Sequence, residues 1–186
     1  MATTSWVALL RGVNVGGRHR LAMVDLRRAC EAVGAVEVST YIQSGNAVFV
    51  HPSMAATELG HKLGKVLADR AGFEIPVMLR TAEQMKAVVE AVPFPADPEK
   101  VHVAFLAAPP KAADVASVVG TLVAPEDLAV VGDDAYLYLP EGVGRAKLPL
   151  ALVRLKVGST MRNWRTVNRL AEMSAALDSG GARSLG

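Results

Sequence analysis

Cationic, amide and glycine residues gather in three short stretches of an otherwise apolar chain. The first, L-R-G-V-N-V-G-G-R-H-R at 10–20, carries Arg11, Gly12, Asn14, Gly16, Gly17 and Arg18. The second, Y-I-Q-S-G-N at 41–46, carries Gln43, Ser44 and Asn46. The third, S-T-M-R-N-W-R-T-V-N-R-L at 159–170, carries Arg162, Asn163, Trp164 and Arg165. Glycine admits backbone conformations closed to other residues, so peptide N–H groups in such loops can converge on one point. Guanidinium groups add planar, bidentate donors, and Lys147 adds a point charge. This is the equipment for holding an anion, either a phosphorylated small molecule or nucleic acid.

No catalytic pattern accompanies these residues. The spacing G-x-x-x-G-G at 12–17 is neither the dinucleotide fingerprint nor a P-loop. Ser44 stands outside any G-x-S-x-G elbow. His19, His51, His61 and His102 are scattered, and the single Cys30 builds no zinc site, so neither metal nor cofactor is expected. Three classes of function stay open. The stretches form an anion-binding site; or Lys147 and His19 serve an enzyme as electrostatic group and general base; or the arginines are structural, satisfying carbonyls at loop ends and locking two subdomains together. An RNA-recognition reading is weak, because aromatic residues make up only 5% of the chain.

Charge is distributed unevenly around a net +2. Residues 1–30 hold five arginines against Asp25 alone, and residues 141–186 hold eight cations against three acids. Two basic ends that fold onto one face would favour an anionic partner. No targeting segment and no membrane-spanning run of 18 apolar residues stand out. A cytoplasmic protein with no membrane partner is expected.

The elements that must position these residues follow from periodicity. A buried strand at 5–11 precedes a helix at 23–33 with Met23, Leu26, Ala29, Cys30 and Val33 on one face. Strands at 36–42 and 47–50 flank the second stretch as a hairpin. A helix at 55–71 and a strand at 75–80 complete the order β-α-β-β-α-β. Thr81 caps a helix at 82–91, and Pro93, Pro95 and Pro98 stiffen a connector. The same order then recurs: a strand at 101–107, a helix at 112–122, a hairpin at 128–139, a helix at 147–156, a short extended piece at 158–162 and a helix at 163–177. The fold class expected is α+β, with two ferredoxin-like plaits whose antiparallel sheets carry helices on one face. The boundaries are 1–80, a connector at 81–98, 99–178, and a frayed tail at 179–186. Arg162, Arg165 and Arg169 would share one face at the start of the last helix, with Trp164 turned toward the body.

At these residues the chain resembles a known family. L-R-G-V-N-V-G-G, Y-I-Q-S-G-N-A-V-F, G-V-G-R-A-K-L and T-M-R-N-W-R-T-V-N-R-L, in this order over 5–175, are similar to the bacterial domain-of-unknown-function 1697 family. The resemblance implies two α/β-plait subdomains and a cytoplasmic bacterial protein, and it implies no activity. Its signature positions fall on Arg11, Gly12, Asn14, Gly16, Gly17, Gln43, Ser44, Gly45, Asn46, Arg145, Lys147, Arg162, Asn163 and Trp164. Ala146 stands where the family has serine and Arg165 where it has asparagine; if that serine or asparagine contacts a ligand, this chain binds it differently, or the family site is less polar here.

Overall fold

The computed structural model describes residues 3–52 and 54–181. The first apolar run forms β1 (Thr3–Leu10), with its last six residues buried. A strand covered on both faces reads as an unbroken apolar run rather than an alternating one. It is followed by α1 (Met23–Ala32), β2 (Val36–Thr40), β3 (Asn46–Pro52), α2 (Ala56–Ala71), β4 (Val77–Thr81) and α3 (Ala82–Glu90). The second half comprises β5 (Val101–Leu106), α4 (Ala112–Val119), β6 (Asp127–Val131), β7 (Asp134–Tyr138), α5 (Leu148–Ala151) with a 3-10 turn at Leu152–Leu155, β8 (Ser159–Asn163) and α6 (Trp164–Gly181). The described residues form a mixed α+β structure with two four-stranded antiparallel sheets and six helices. It divides into two units: residues up to Ala87 with those from Arg169 onward, and Val88–Asn168.

In the first unit the strand order is β2-β3-β1-β4. Leu26, Ala29 and Cys30 of α1 and Leu59, Leu63 and Leu67 of α2 join one core with Trp6, Ala8, Leu10, Ala47, Phe49 and Leu79. Alternate residues of β1 therefore meet both helices on one face of the sheet. Burial pushes the Cys30 thiol up to about 12, so it is an inert core group. In the second unit the order is β6-β7-β5-β8. Its core gathers Ala104, Leu106, Val118, Leu128, Ala135, Leu137, Leu148, Leu152 and Leu155.

The two sheets repeat each other in the pairing of their central strands, although β2 carries a register shift against β3 that β6 lacks against β7. Val7 pairs with Arg80 as Val103 pairs with Arg162, and Leu9 pairs with Asn46 as Phe105 pairs with Asp134. Leu10 N–H donates to Gly45 O at 2.9 Å and Leu106 N–H to Asp133 O at 2.8 Å. Arg80 donates to the carbonyl of Leu79 at 3.0 Å, and Arg162 to that of Met161 at 2.9 Å. The helices that follow start alike. Thr81 and Gln84 form a capping box on α3, and Asn163 Oδ1 accepts from Thr166 N–H at 2.9 Å on α6.

Three local expectations are corrected. The helix at 147–156 is a four-residue α5 and a 3-10 turn, ended by Lys156 in a left-handed conformation. Arg162 lies on β8 opposite Val103, so it shares no helix face with Arg165 and Arg169. The period of two won there, since 159–163 supplies the ladder that β5 needs on its second edge. Of the tail expected at 179–186, residues 179–181 continue α6, and 182–186 lie outside the described residues.

His102, at the register position that Trp6 holds in the first sheet, is buried, and desolvation holds its imidazole below the usual histidine range. The folded state thus prefers the neutral ring. Stability contributed by His102 is complete above about pH 6.5 and is lost as pH falls below that value, because the unfolded chain takes up the proton first. Urea midpoints should fall between about pH 7 and about pH 5.5 in the wild type, and His102→Leu should lessen that fall. An undiminished pH slope in the variant would assign it to other groups.

Candidate functional site

Between β1 and α1 the chain makes a miniature hairpin. Arg18 N–H donates to Val15 O at 3.1 Å and Asn14 N–H to His19 O at 3.0 Å. Gly16 and Gly17 have φ of 58° and 75°. Two successive positive φ values at the centre of a two-residue turn define the type I′ geometry, which selects glycine. The hairpin is fastened at both sides. Asn14, itself left-handed at φ 55°, donates from Nδ2 to Leu21 O at 2.9 Å and to Gln43 O at 2.7 Å. Its Oδ1 accepts from Leu21 N–H at 2.9 Å. The His19 ring stacks on Phe73 with centroids 4.6 Å apart. Buried Val13 and Leu21 anchor the two ends of the loop.

The 41–46 turn lies beneath this loop. Asn46 is fully buried; its Nδ2 donates to Tyr41 O and Ser44 Oγ, both at 2.9 Å. Gly45, at φ 79°, sits so close to the loop that a Cβ there would stand 2.5 Å from Val13 Cγ2. Loop and turn frame an open recess of about 420 Å³, lined by Asn14, Gly17, Arg20, Leu21, Ala22 and Gln43. Arg11, Arg18 and Arg20 are exposed around the loop. A cavity of this size suits a small ligand, and exposed guanidiniums supply charge-assisted donors.

The remaining candidates belong to the second unit. Lys147 is exposed; its backbone N–H and that of Leu148 donate to the carboxylate of Glu126 at 3.0 and 2.8 Å. Arg162 is buried and donates to Thr160 Oγ1 at 2.8 Å. Desolvation brings its guanidinium down to about 10, so it stays cationic at neutral pH. Asn163 caps α6, Trp164 is buried, and Arg165 is exposed. Among the first-unit candidates, then, the structure gathers Asn14, Gly17 and Gln43 at one recess. Asn14 and Asn163 spend their side chains on the backbone, Asn46 divides its amide between the Tyr41 carbonyl and the Ser44 hydroxyl, and Trp164 packs in the interior. Arg20 is one of the three guanidiniums of the first stretch, and its place on the recess wall follows only from the hairpin's path. Phe73 carried no signal, because a lone aromatic after a helix gives no hint of a distant ring. Among the described residues no group of three or more His, Cys, Asp or Glu could hold a metal ion.

Repeated four-stranded antiparallel sheets, with an elaborated glycine loop on the first of them, define the class of protein. The family described as a protein of unknown function (DUF1697) matches residues 3–136, and the chain belongs to it. That match ends before the stretches around Lys147 and Arg162. The structure of the conserved bacterial protein SP0830 from Streptococcus pneumoniae is similar to this chain at a TM-score of 0.73 and 24% identity, covering 93% of this chain and 99% of the other. That likeness concerns the fold. No curated protein matches the chain.

Proposed function

We propose that this protein binds a small anionic ligand, phosphorylated or carboxylated, at the loop between β1 and α1. Each half is read as a ferredoxin-like plait, 1–80 and 99–178 joined by the connector 81–98, because the strand orders and β-α-β-β-α-β succession agree with that fold. The observation that carries the functional reading is a difference between the repeats. From β5 to α4 the chain passes through Ala107–Lys111, five residues without glycine. From β1 to α1 it takes twelve, Arg11–Ala22, with three glycines and three arginines. The fold thus makes this connection without a long loop, so the hairpin, its pins and its exposed cations serve something other than turning the chain. Loops held rigidly on a scaffold are where binding sites concentrate.

Arg11, Arg18 and Arg20 supply the charge, Gly12, Gly16 and Gly17 the accessible backbone, and Gln43 an exposed amide on the opposite wall. Arg162 is assigned a structural role in this reading, since its guanidinium serves Thr160 and the strand carbonyl. Arg165 and Lys147 are exposed cations of the second unit outside the recess. The test is calorimetric titration with inorganic phosphate, nucleotides, sugar phosphates and dicarboxylates. Arg18→Ala/Arg20→Ala should weaken the ligand that binds by about a hundredfold, as expected for two charge-assisted contacts. The same affinity in the double variant would remove the ligand from this recess.

A further inference from the structure

We propose that residues 143–156 of the second unit form a peripheral contact for a bilayer surface carrying anionic phospholipid. α5 and the 3-10 turn carry apolar residues on both their inner and outer sides. Leu148, Leu152 and Leu155 enter the core. Leu150 and Val153 do the opposite: they are 80% and 79% exposed, more than any other large apolar side chain among the described residues. Burying either on the core side would need a different register, since Leu148, Leu152 and Leu155 already fill it. Both therefore stand in water on one outward turn.

Their surroundings are cationic. Lys147, Leu150 and Arg154 follow at spacings of three and four, so cations close both ends of the exposed turn. Arg145, Lys147 and Arg154 are exposed, and none forms an ion pair among the described residues. Two neighbouring acids are already engaged. Glu126 accepts the N–H groups of Lys147 and Leu148, and Asp114 holds Lys156 at 2.6 Å. Two apolar knobs in a ring of long cations match the interface of an anionic bilayer. The knobs enter the acyl boundary without needing a complementary pocket, while the cationic heads stay at the phosphates. An acidic protein surface would instead have to offer a pocket shaped for each knob. No helix among the described residues is long and apolar enough to cross a membrane, which leaves a contact lying on the surface unaffected.

The test is co-sedimentation of the full chain with vesicles of phosphatidylcholine alone and of phosphatidylcholine mixed with phosphatidylglycerol. The full chain should bind the mixed vesicles and release them as salt rises, with little binding to phosphatidylcholine alone. Lys147→Gln/Arg154→Gln should weaken that binding by about tenfold or more, given the attraction per cation near such a surface. Leu150→Ser/Val153→Ser should weaken it further with no change in thermal midpoint, because neither side chain is in the core. Leu150→Trp should show a blue-shifted emission on mixed vesicles, whereas Arg18→Ala/Arg20→Ala should bind them like the wild type. Absence of wild-type sedimentation with mixed vesicles overturns the proposal, and capture by an acidic protein without vesicle binding would do the same. Vesicle binding that survives both double substitutions would also overturn it.

Discussion

Replacing Gly45 with alanine destabilises the first unit by about 2–5 kcal/mol, from two separate causes. At φ 79° an added Cβ meets the backbone penalty of the left-handed region, about 1–2 kcal/mol. The same Cβ would lie 2.5 Å from Val13 Cγ2 and 2.8 Å from Leu10 Cβ. Both neighbours are buried and held by the core, so relief requires lifting the loop from the turn, an overpacking cost of about 1–3 kcal/mol. Gly12→Ala is the internal control. Gly12 has φ 73° but nothing within 4 Å of its Cβ position, so only the backbone cost applies. Urea unfolding followed by circular dichroism separates the two: Gly45→Ala should shift the midpoint clearly more than Gly12→Ala. Equal shifts would show that the close approach of loop and turn carries no energetic weight.

Asn14→Ala is expected to cost about 2–4 kcal/mol, because it removes two partly buried hydrogen bonds to Leu21 and an exposed one to Gln43. It also forces a residue with a Cβ but no local hydrogen bond into φ 55°. Asn14→Gly isolates the first effect, since glycine accepts that backbone freely. If the bonds dominate, Gly and Ala variants lose nearly the same stability; if the backbone dominates, glycine restores most of it. The two variants also bear on function. Asn14 touches both walls of the recess, so ligand affinity should fall with the loss of loop geometry even though its amide has no donor left for a ligand. Retained affinity in a stably folded Asn14→Gly would mean that the ligand needs the arginines and not the hairpin's shape.

These expectations show which parts of the protein are local. Leu26, Ala29 and Cys30, or Leu59, Leu63 and Leu67, announce their helices because the 3.6-residue period is a property of a few consecutive turns. The unbroken apolar runs of β1 and β5 announce strands covered on both faces. Thr81 announces a helix start because its hydroxyl needs only the N–H three residues on. Arg162 was misplaced for the same local reason. Arg162, Arg165 and Arg169 have a helical spacing, while the extended piece expected at 158–162 also takes in Arg162, and only the pairing of 159–163 with β5 decides between the two. The 147–156 helix failed similarly: its apolar content promised a regular helix, but Pro149 and the left-handed Lys156 confine it to two short turns.

The amino-acid sequence by itself determined the order of elements, the two-part repetition, the family and the three polar stretches, since each is written in neighbouring residues. Only the tertiary structure decided what those stretches do to one another. It made Asn14 a pin between a loop and a turn 29 residues apart, brought Gly45 against Val13, and showed that the second sheet manages the same crossover with five residues. Such facts depend on strand register and on contacts between distant segments. Side-chain periodicity fixes which face a residue takes but carries no information about which distant backbone group it will meet there.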